Sequence, residues 1–316
     1  MKRVLWALLL AAACGPVATG PGAAGPGGTP GLAITSAPVD IDGGVLTGLT
    51  LRGTVALTAS PDEFGGFSGL HIDQGHMVAV NDIGWWLLAD LDDTDNGLAP
   101  DRAGFAPMLD ADGAAYDKAG GDAEGLTMRD GFLAVSFERD HRIMFHQGDG
   151  RMGDLIQDRA FERLGTNKGL EALATTPDGW MLAIAEEPEN GAFPVHLVRY
   201  SNEVRLGSLP ALTRHSVTGA DVGPDGKLYL LQRDYTPILG VSIRILRYAL
   251  GDDGFPIAET REELAAFESS SGIDNMEGIA LWTDQTGRTR LTLISDDNFN
   301  LIQRTLLMDF EVSTED

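Results

Sequence analysis

The chain has 316 residues, 43% of them hydrophobic, and a formal net charge of -24. That is enough apolar material to bury a sizeable core, and the negative field repels nucleic acid and anionic membrane surfaces while favouring cations. Cys14 is the one cysteine and the six histidines form no H-E-x-x-H, which excludes an intrachain disulfide and leaves a Cys-based zinc site or a zinc protease without support.

Lys2 and Arg3 precede the apolar run Val4 to Ala13, which is too short to span a bilayer as a mature helix and has the form of a signal peptide. The run stops at Ala12-Ala13-Cys14-Gly15. This stop resembles a bacterial lipoprotein signal, whose cysteine becomes lipidated, although Ala11 replaces the usual leucine; the other reading is ordinary cleavage near Ala-x-Ala. Residues 1–14 are therefore read as a signal peptide. The protein is expected to be exported, either periplasmic or anchored through Cys14 in the bacterial envelope. Residues 15–40 open with GPVATGPGAAGPGGTPG, a composition that reads as a flexible tether. Residues 41–316 are expected to form a single domain.

In that domain, residues 46–58, LTGLTLRGTVALT, read as a strand that pairs beside LLMDFEV, residues 306–312, closing a ring so that no free edge remains. Between them one word recurs: FSGLHID from Phe67, AEGLTMR from Ala123, LEALATT from Leu170, VTGADVG from Val217 and MEGIALW from Met276. Its spacing of about 50 residues marks a stacked or radial repeat. Each word is followed by a turn and a second apolar run ending in polar residues: HMVAVND, FLAVSFER, MLAIAEE, LYLLQRD and LISDDN. Turns such as TTPDG and GPDG make these pairs hairpins, and third runs such as WWLLADL and IRILRY follow. The expectation is an all-β fold, a β-propeller of five four-stranded blades, with intervals that leave room for a sixth. Residues 90–104, DLDDTDNGLAPDRAG, lack the terminal Glu of an EF-hand and read as a solvated acidic loop.

If the first strand of each blade leaves the ligand face and the second returns, strand starts and strand ends share one rim. Starts supply Glu124, Glu171 and Glu277; ends supply Asp82, Glu138, Glu186, Asp234, Asp296 and Asp297, with Arg139, Arg233 and Asn298 beside them. So many carboxylates around one axis raise one another's pKa values unless cations intervene. Ca²⁺ is the hard, oxygen-seeking ion that suits them, and the competing reading is that the acids cap loops and pair with arginines to hold the blades in register. His141, just beyond a strand end, reads either as a general base or as a surface-loop histidine.

The words FGGFSGLHID, DAEGLTM, GLEALATTPDG, NMEGIALW and LISDDNF, in this order across residues 46–312, resemble the exported family described as having esterase-like activity of phytase, distant relatives of the β-propeller phytases. The resemblance implies a propeller with repeated Glu and Asp residues and a phosphoesterase activity. This chain departs from the pattern at Ser68 and Thr218, where other units have Glu, and at Ala172, where they have Gly. Lysines are scarce, with Lys118, Lys168 and Lys227 scattered, so Arg139 and Arg233 are the best anion contacts and phytate itself is not expected.

The functional expectation is a calcium-dependent hydrolase of a small phosphate or carboxylic ester, monomeric, without nucleic acid and touching a membrane only through an N-terminal lipid. Glu124, Glu171 and Glu277 would act as ligands or base, Arg139, Arg233 and Asn298 would contact substrate, and Asp82, Glu138, Glu186, Asp234, Asp296 and Asp297 would hold metal. Two rivals stand beside it: a non-catalytic envelope propeller binding a protein or glycan, and a metal-dependent sugar-lactone hydrolase.

Overall fold

The computed structural model describes residues 29–313 except 111, 147–151, 162–163, 165–168, 200–202, 237 and 239. The segment expected to be a signal peptide, Cys14 and the first part of the expected tether lie outside the described residues. Ahead of the first repeat the chain forms β1 (Gly31–Leu32), β2 (Ile34–Pro38), β3 (Val45–Leu46) and β4 (Leu49–Ala59). Five antiparallel hairpin sets then follow. Blade one holds β5 (Phe67–Asp73), β6 (His76–Asn81), β7 (Trp85–Thr94) and β8 (Gly97–Pro107). Blade two holds β9 (Ala123–Arg129), β10 (Phe132–Phe137), β11 (Arg142–His146) and β12 (Met152–Ile156). Blade three holds β13 (Ala172–Thr175), β14 (Met181–Ile184), β15 (Ala192–Val198) and β16 (Val204–Pro210). Blade four holds β17 (Ser216–Val222), β18 (Leu228–Thr236), β19 (Gly240–Tyr248) and β20 (Glu262–Phe267). Blade five holds β21 (Asn275–Thr283), β22 (Thr289–Asp296) and β23 (Thr305–Val312) and takes β4 as its fourth strand.

This is a five-bladed propeller closed as the sequence predicts, with Leu307 opposite Val55 and Val312 opposite Leu49. The N-terminal segment does more than close it. β1 adds to the outer edge of blade one at β8, β2 to blade five at β4, and β3 to blade four at β20. Three consecutive blades thus gain a fifth strand, and the segment covers edges that would otherwise present unpaired amides. Composition alone places residues 31–38 in the tether. They are strand because an edge needs only backbone partners, which a Gly- and Pro-containing sequence can give, with Pro38 at the terminal position.

Residues 90–104 are also strand rather than loop: β7 and β8 run through them and turn at Asp95 and Asn96. The acids there have partners. Asp90 accepts from His76 and Arg102, and Asp93 from the fully buried Arg290 at 2.8 Å. Arg290 also donates to the buried Asp309 of β23, so this acidic hairpin is bound to blade five.

The apolar cores sit between blades. Leu231 and Ile245 of blade four meet Leu291 and Met308 of blade five, Ile294 and Leu307 meet Phe67 and Leu70 of blade one, and matching clusters join the remaining neighbours. Trp85 stacks on Phe105 while Trp86, on the other face of β7, packs edge-on against His146. The glycine of the repeated word explains the tight centre. A Cβ on Gly125 would lie 2.8 Å from Leu173 Cβ of blade three, one on Gly219 would lie 2.4 Å from Glu277 O of blade five, and one on Gly278 would lie 3.0 Å from Leu70 Cβ of blade one. Four of the five inner strands pack this glycine against the next blade, blade three having Ala172 in its place, and at the four glycines a larger residue would push the ring open.

Candidate functional site

The residue before each of these glycines occupies a β-bulge. In β5 the register passes from Phe67↔Asn81 to Gly69↔Val80, leaving Ser68 extra; Thr218 in β17 and Glu277 in β21 are extra in the same way. In β9, Glu124 and Gly125 together oppose Ser136. Glu171 stands just before β13 at the corresponding place. A bulge breaks the alternation of the strand and re-aims one side chain, so Ser68, Glu124, Glu171, Thr218 and Glu277 form a ring of equivalent positions at one mouth of the propeller.

Two clusters stand out there. On blade two, Asp122, Glu124 and Glu138 each offer a carboxylate oxygen, all within 4.8 Å of one another. Arg139 pairs with Asp122 at 2.6 Å from a left-handed backbone, φ 61°. Gly169 of the next blade leaves room for Glu138, since a Cβ there would lie 2.8 Å from Glu138 Cγ. Between blades four and five, Glu277 Oε1 accepts from Arg233 Nη1 at 2.8 Å and from Asn275 Nδ2 at 2.9 Å. Asn275 also donates to Asp296 at 3.2 Å and accepts from Arg233. Arg233 Nη2 stands 3.9 Å from Glu186.

The electrostatics join the two clusters. Burial pushes the Glu124 carboxyl well up, and the charges of Glu171, Glu277, Asp122 and Glu138 push it further. Glu171 is raised well up by burial, Glu186, Glu277 and Glu138, with Arg233 opposing. Burial brings Glu277 to about 8 against the pull of Arg233, and Glu138 to about 7 with help from Asp122 and Glu186. Asp82 reaches about 6 through burial and the charge of Asp296, and Asp296 reaches about 6 through burial, opposed by the Asn298 amide. Asp82 Oδ1 is buried with no hydrogen-bond partner among the described residues. The mouth holds more acid than it can ionise alone. All-carboxylate donors at this spacing, with a buried oxygen left over, fit a hard divalent cation such as Ca²⁺.

Several expected site residues have other partners. Asp234 lies opposite Ser242 in the β18–β19 pair and its carboxylate pairs with Arg214 at 2.9 Å, away from these clusters. Asp297 accepts from the Gly66 amide, the Phe299 amide and Thr305 Oγ1, clamping blade five to the Gly65-Gly66 turn of blade one. A Cβ on Gly65 would lie 2.5 Å from Asp297 Oδ1, which accounts for the FGG of the first word. Asn298 is exposed and serves through its backbone, donating to Asp296 Oδ1 at 2.6 Å. His141 is buried rather than on a surface loop. Ser68 is buried and donates to Gly66 O. Sequence reasoning misses Asp122 and Asn275. Both stand two residues before the repeated Glu, and a polar residue at that offset is the available signal.

Residues 62–299 match the family model described as Phytase-like, esterase-like activity of phytase. The sequence matches no curated protein. Among solved structures, the alpha-L-arabinofuranosidase PaAbf62A from Podospora anserina is 13% identical with a TM-score of 0.50, covering 84% of this chain and 97% of that one. The gluconolactonase XC5397 from Xanthomonas campestris is 14% identical with a TM-score of 0.47, covering 87% and 97%. The PQQ-bound aldose sugar dehydrogenase from Streptomyces coelicolor is 12% identical with a TM-score of 0.42, covering 87% and 100%. At 13% identity the likeness to the arabinofuranosidase is one of fold alone.

Proposed function

Because the chain belongs to the phytase-like family described by esterase-like activity of phytase, we propose that it is an exported, monomeric hydrolase that cleaves a phosphate or carboxylic ester at the acidic mouth. The observation that carries this reading is the pairing of an oxygen cluster, Asp122, Glu124 and Glu138, with a Glu277–Arg233 pair at the same mouth. Asp122, Glu124 and Glu138 would hold Ca²⁺, with Glu171, Glu186, Asp82 and Asp296 adding negative potential around them. Bound there, the ion supplies Lewis-acid polarisation of the ester.

The rest of the chemistry belongs to the chain. Water attacks the ester carbon or phosphorus and gives its proton to Glu277, whose raised pKa makes it a stronger base than an ordinary carboxylate. The proton then passes to the departing alkoxide. Arg233, fixed by Asn275 and Glu277, faces the developing negative charge and orients it. Both anion-contact arginines, Arg139 and Arg233, are engaged by acids, which favours a substrate of low charge over a densely phosphorylated one. Export, to the periplasm or to a lipid anchor at Cys14, is part of the same proposal.

The test is hydrolysis of p-nitrophenyl acetate and p-nitrophenyl phosphate by the mature protein and by Glu277→Gln in the presence of Ca²⁺. Loss of turnover with an unchanged melt supports the reading. Equal turnover in both proteins removes Glu277 from the chemistry, and loss of the melt together with turnover assigns it to structure instead.

A further inference from the structure

Six of the eleven exposed large apolar side chains among the described residues fall at one end of the propeller, the other five being scattered at Val45, Leu46, Leu155, Leu206 and Ile257. Leu301, Ile238 and Ile302 expose 104%, 93% and 86% of their surfaces, and Leu212, Tyr235 and Phe299 are exposed as well. These six fall on or beside three loops: the one preceding β17, the one joining β18 to β19 and the one joining β22 to β23. All three leave the mouth end of blades four and five, where Arg233, Asn275, Glu277 and Asp296 meet.

Two of the loops share one support, the segment from Ser269 to Asp274, and the third is tied to β19. Gln303 Nε2 and the Arg304 amide donate to Asp274 at 3.3 and 3.0 Å, and Arg304 Nη2 donates to Gly272 O at 2.7 Å. Gly240, at the end of the β18–β19 loop, sits so close to Ser269 that a Cβ would lie 2.3 Å from its Oγ. His215 Nε2 meets Ser242 Oγ at 3.1 Å, tying the third loop to the start of β19. In the Leu301 loop the Asn300 amide bonds Asp297 O at 2.8 Å and the Gln303 amide bonds Asn300 O at 3.0 Å. A loop held by this many bonds presents Leu301 and Ile302 to water by construction, and apolar side chains gathered on adjoining loops mark a binding surface.

Resting on the hydrolase reading above, we infer that the substrate is an amphiphile: an ester whose polar end enters the acidic mouth while an aliphatic chain lies over the loops of blades four and five. Charge argues against two other occupants. A second copy docked mouth to mouth, or an anionic bilayer, would bring like charges together against a net charge of -24. An uncharged hydrocarbon chain meets no such repulsion and covers Tyr235, Phe299, Leu301 and Ile302. The apolar loops then discriminate between esters by chain length, a task the carboxylates cannot perform.

The experiment measures two things on the wild type and on the Leu301→Ser/Ile302→Ser and Tyr235→Ser variants, all with Ca²⁺ present. One is turnover of p-nitrophenyl acetate and p-nitrophenyl octanoate. The other is calorimetric binding of octylphosphonate and methylphosphonate, which have no ester to cleave. Octylphosphonate is expected to bind about tenfold tighter or more, since each buried methylene contributes about fourfold. The variants are expected to lose that preference and octanoate turnover together, with acetate turnover and the melt unchanged. Chain-length-dependent binding without turnover on either ester keeps the amphiphile site and overturns the hydrolase reading. Turnover that ignores chain length, or that the variants leave unchanged, overturns the amphiphile and keeps the hydrolase.

Discussion

Arg233 Nη1 lies 2.8 Å from Glu277 Oε1, so the end of the second strand of blade four is bonded to the bulge in the first strand of blade five. The arginine opposes the burial that raises the Glu277 pKa. Replacing it with a neutral side chain removes that opposition. For Arg233→Met, the ascending limb of the kcat/KM pH profile is expected to move up by about one pH unit or more, the usual effect of an adjacent cation on a carboxylate. Arg233→Lys should restore part of the original profile. A lower melting temperature with an unmoved profile would mean that Arg233 only holds the two blades together.

Removal of divalent cations should make stability depend on pH in a particular sense. Asp82 and Asp296 are held at about 6, Glu138 at about 7 and Glu277 at about 8, all above the value of about 4 for an unfolded carboxyl. Groups whose folded pKa is raised contribute fully below the unfolded value, and the contribution is lost as pH rises through the folded one. The chelated protein is therefore expected to melt at a lower temperature at about pH 8 than at about pH 5. A carboxyl whose pKa rises by about one on folding accounts for about 1.4 kcal/mol, or about 2–4 °C in a domain of this size. A melt that rises across this window would contradict the crowding of acids at the mouth.

Glu124→Gln separates the cost of that crowding from its use. Glu124 is raised by burial and by four neighbouring carboxylates, so its neutralisation is expected to raise the melting temperature of the chelated protein at about pH 8. The same change should weaken Ca²⁺ binding by calorimetry by about tenfold or more, because losing a ligand costs no less than the loss of a ligand's own support. A variant less stable than wild type under chelation would show that the carboxylate is already satisfied by the fold.

The strands outside the repeat offer a check of the architecture. A chain begun at Ile41 lacks β1 and β2, which cover the outer edges of β8 and β4. Its melt is expected to fall below that of a chain begun at Thr29, and it should associate through the exposed edges at high concentration. Equal melts and equal sedimentation would mean that these strands only decorate the rim.

The fold is readable because its signals are local and repeated. The five words, their turns and the closing strand at 46–58 carry strand periodicity and turn chemistry in the chain itself. The strands at 31–38 and the hairpin at 90–104 are not readable. In the first case edge pairing needs no apolar alternation, and in the second the partners of Asp93 are Arg290 and, through it, Asp309, far away in sequence. At the site, Glu124, Glu171 and Glu277 follow from the repeat. Their convergence depends on bulges that shift the register by one residue, which alternation cannot foresee. Asp234 and Asp297 look like their neighbours in sequence and differ only in what they meet in space, Arg214 for one and the Gly66 turn for the other.

The most direct measurement is the initial rate of p-nitrophenyl ester hydrolysis by the chain begun at Thr29, chelated and then titrated with Ca²⁺ while the melting temperature is followed on the same samples. Turnover is expected to appear with the ion and to saturate at the concentration that completes the rise in melting temperature. Turnover unaffected by chelation, or absent when the melt has fully responded, would contradict a calcium-dependent hydrolase at the acidic mouth.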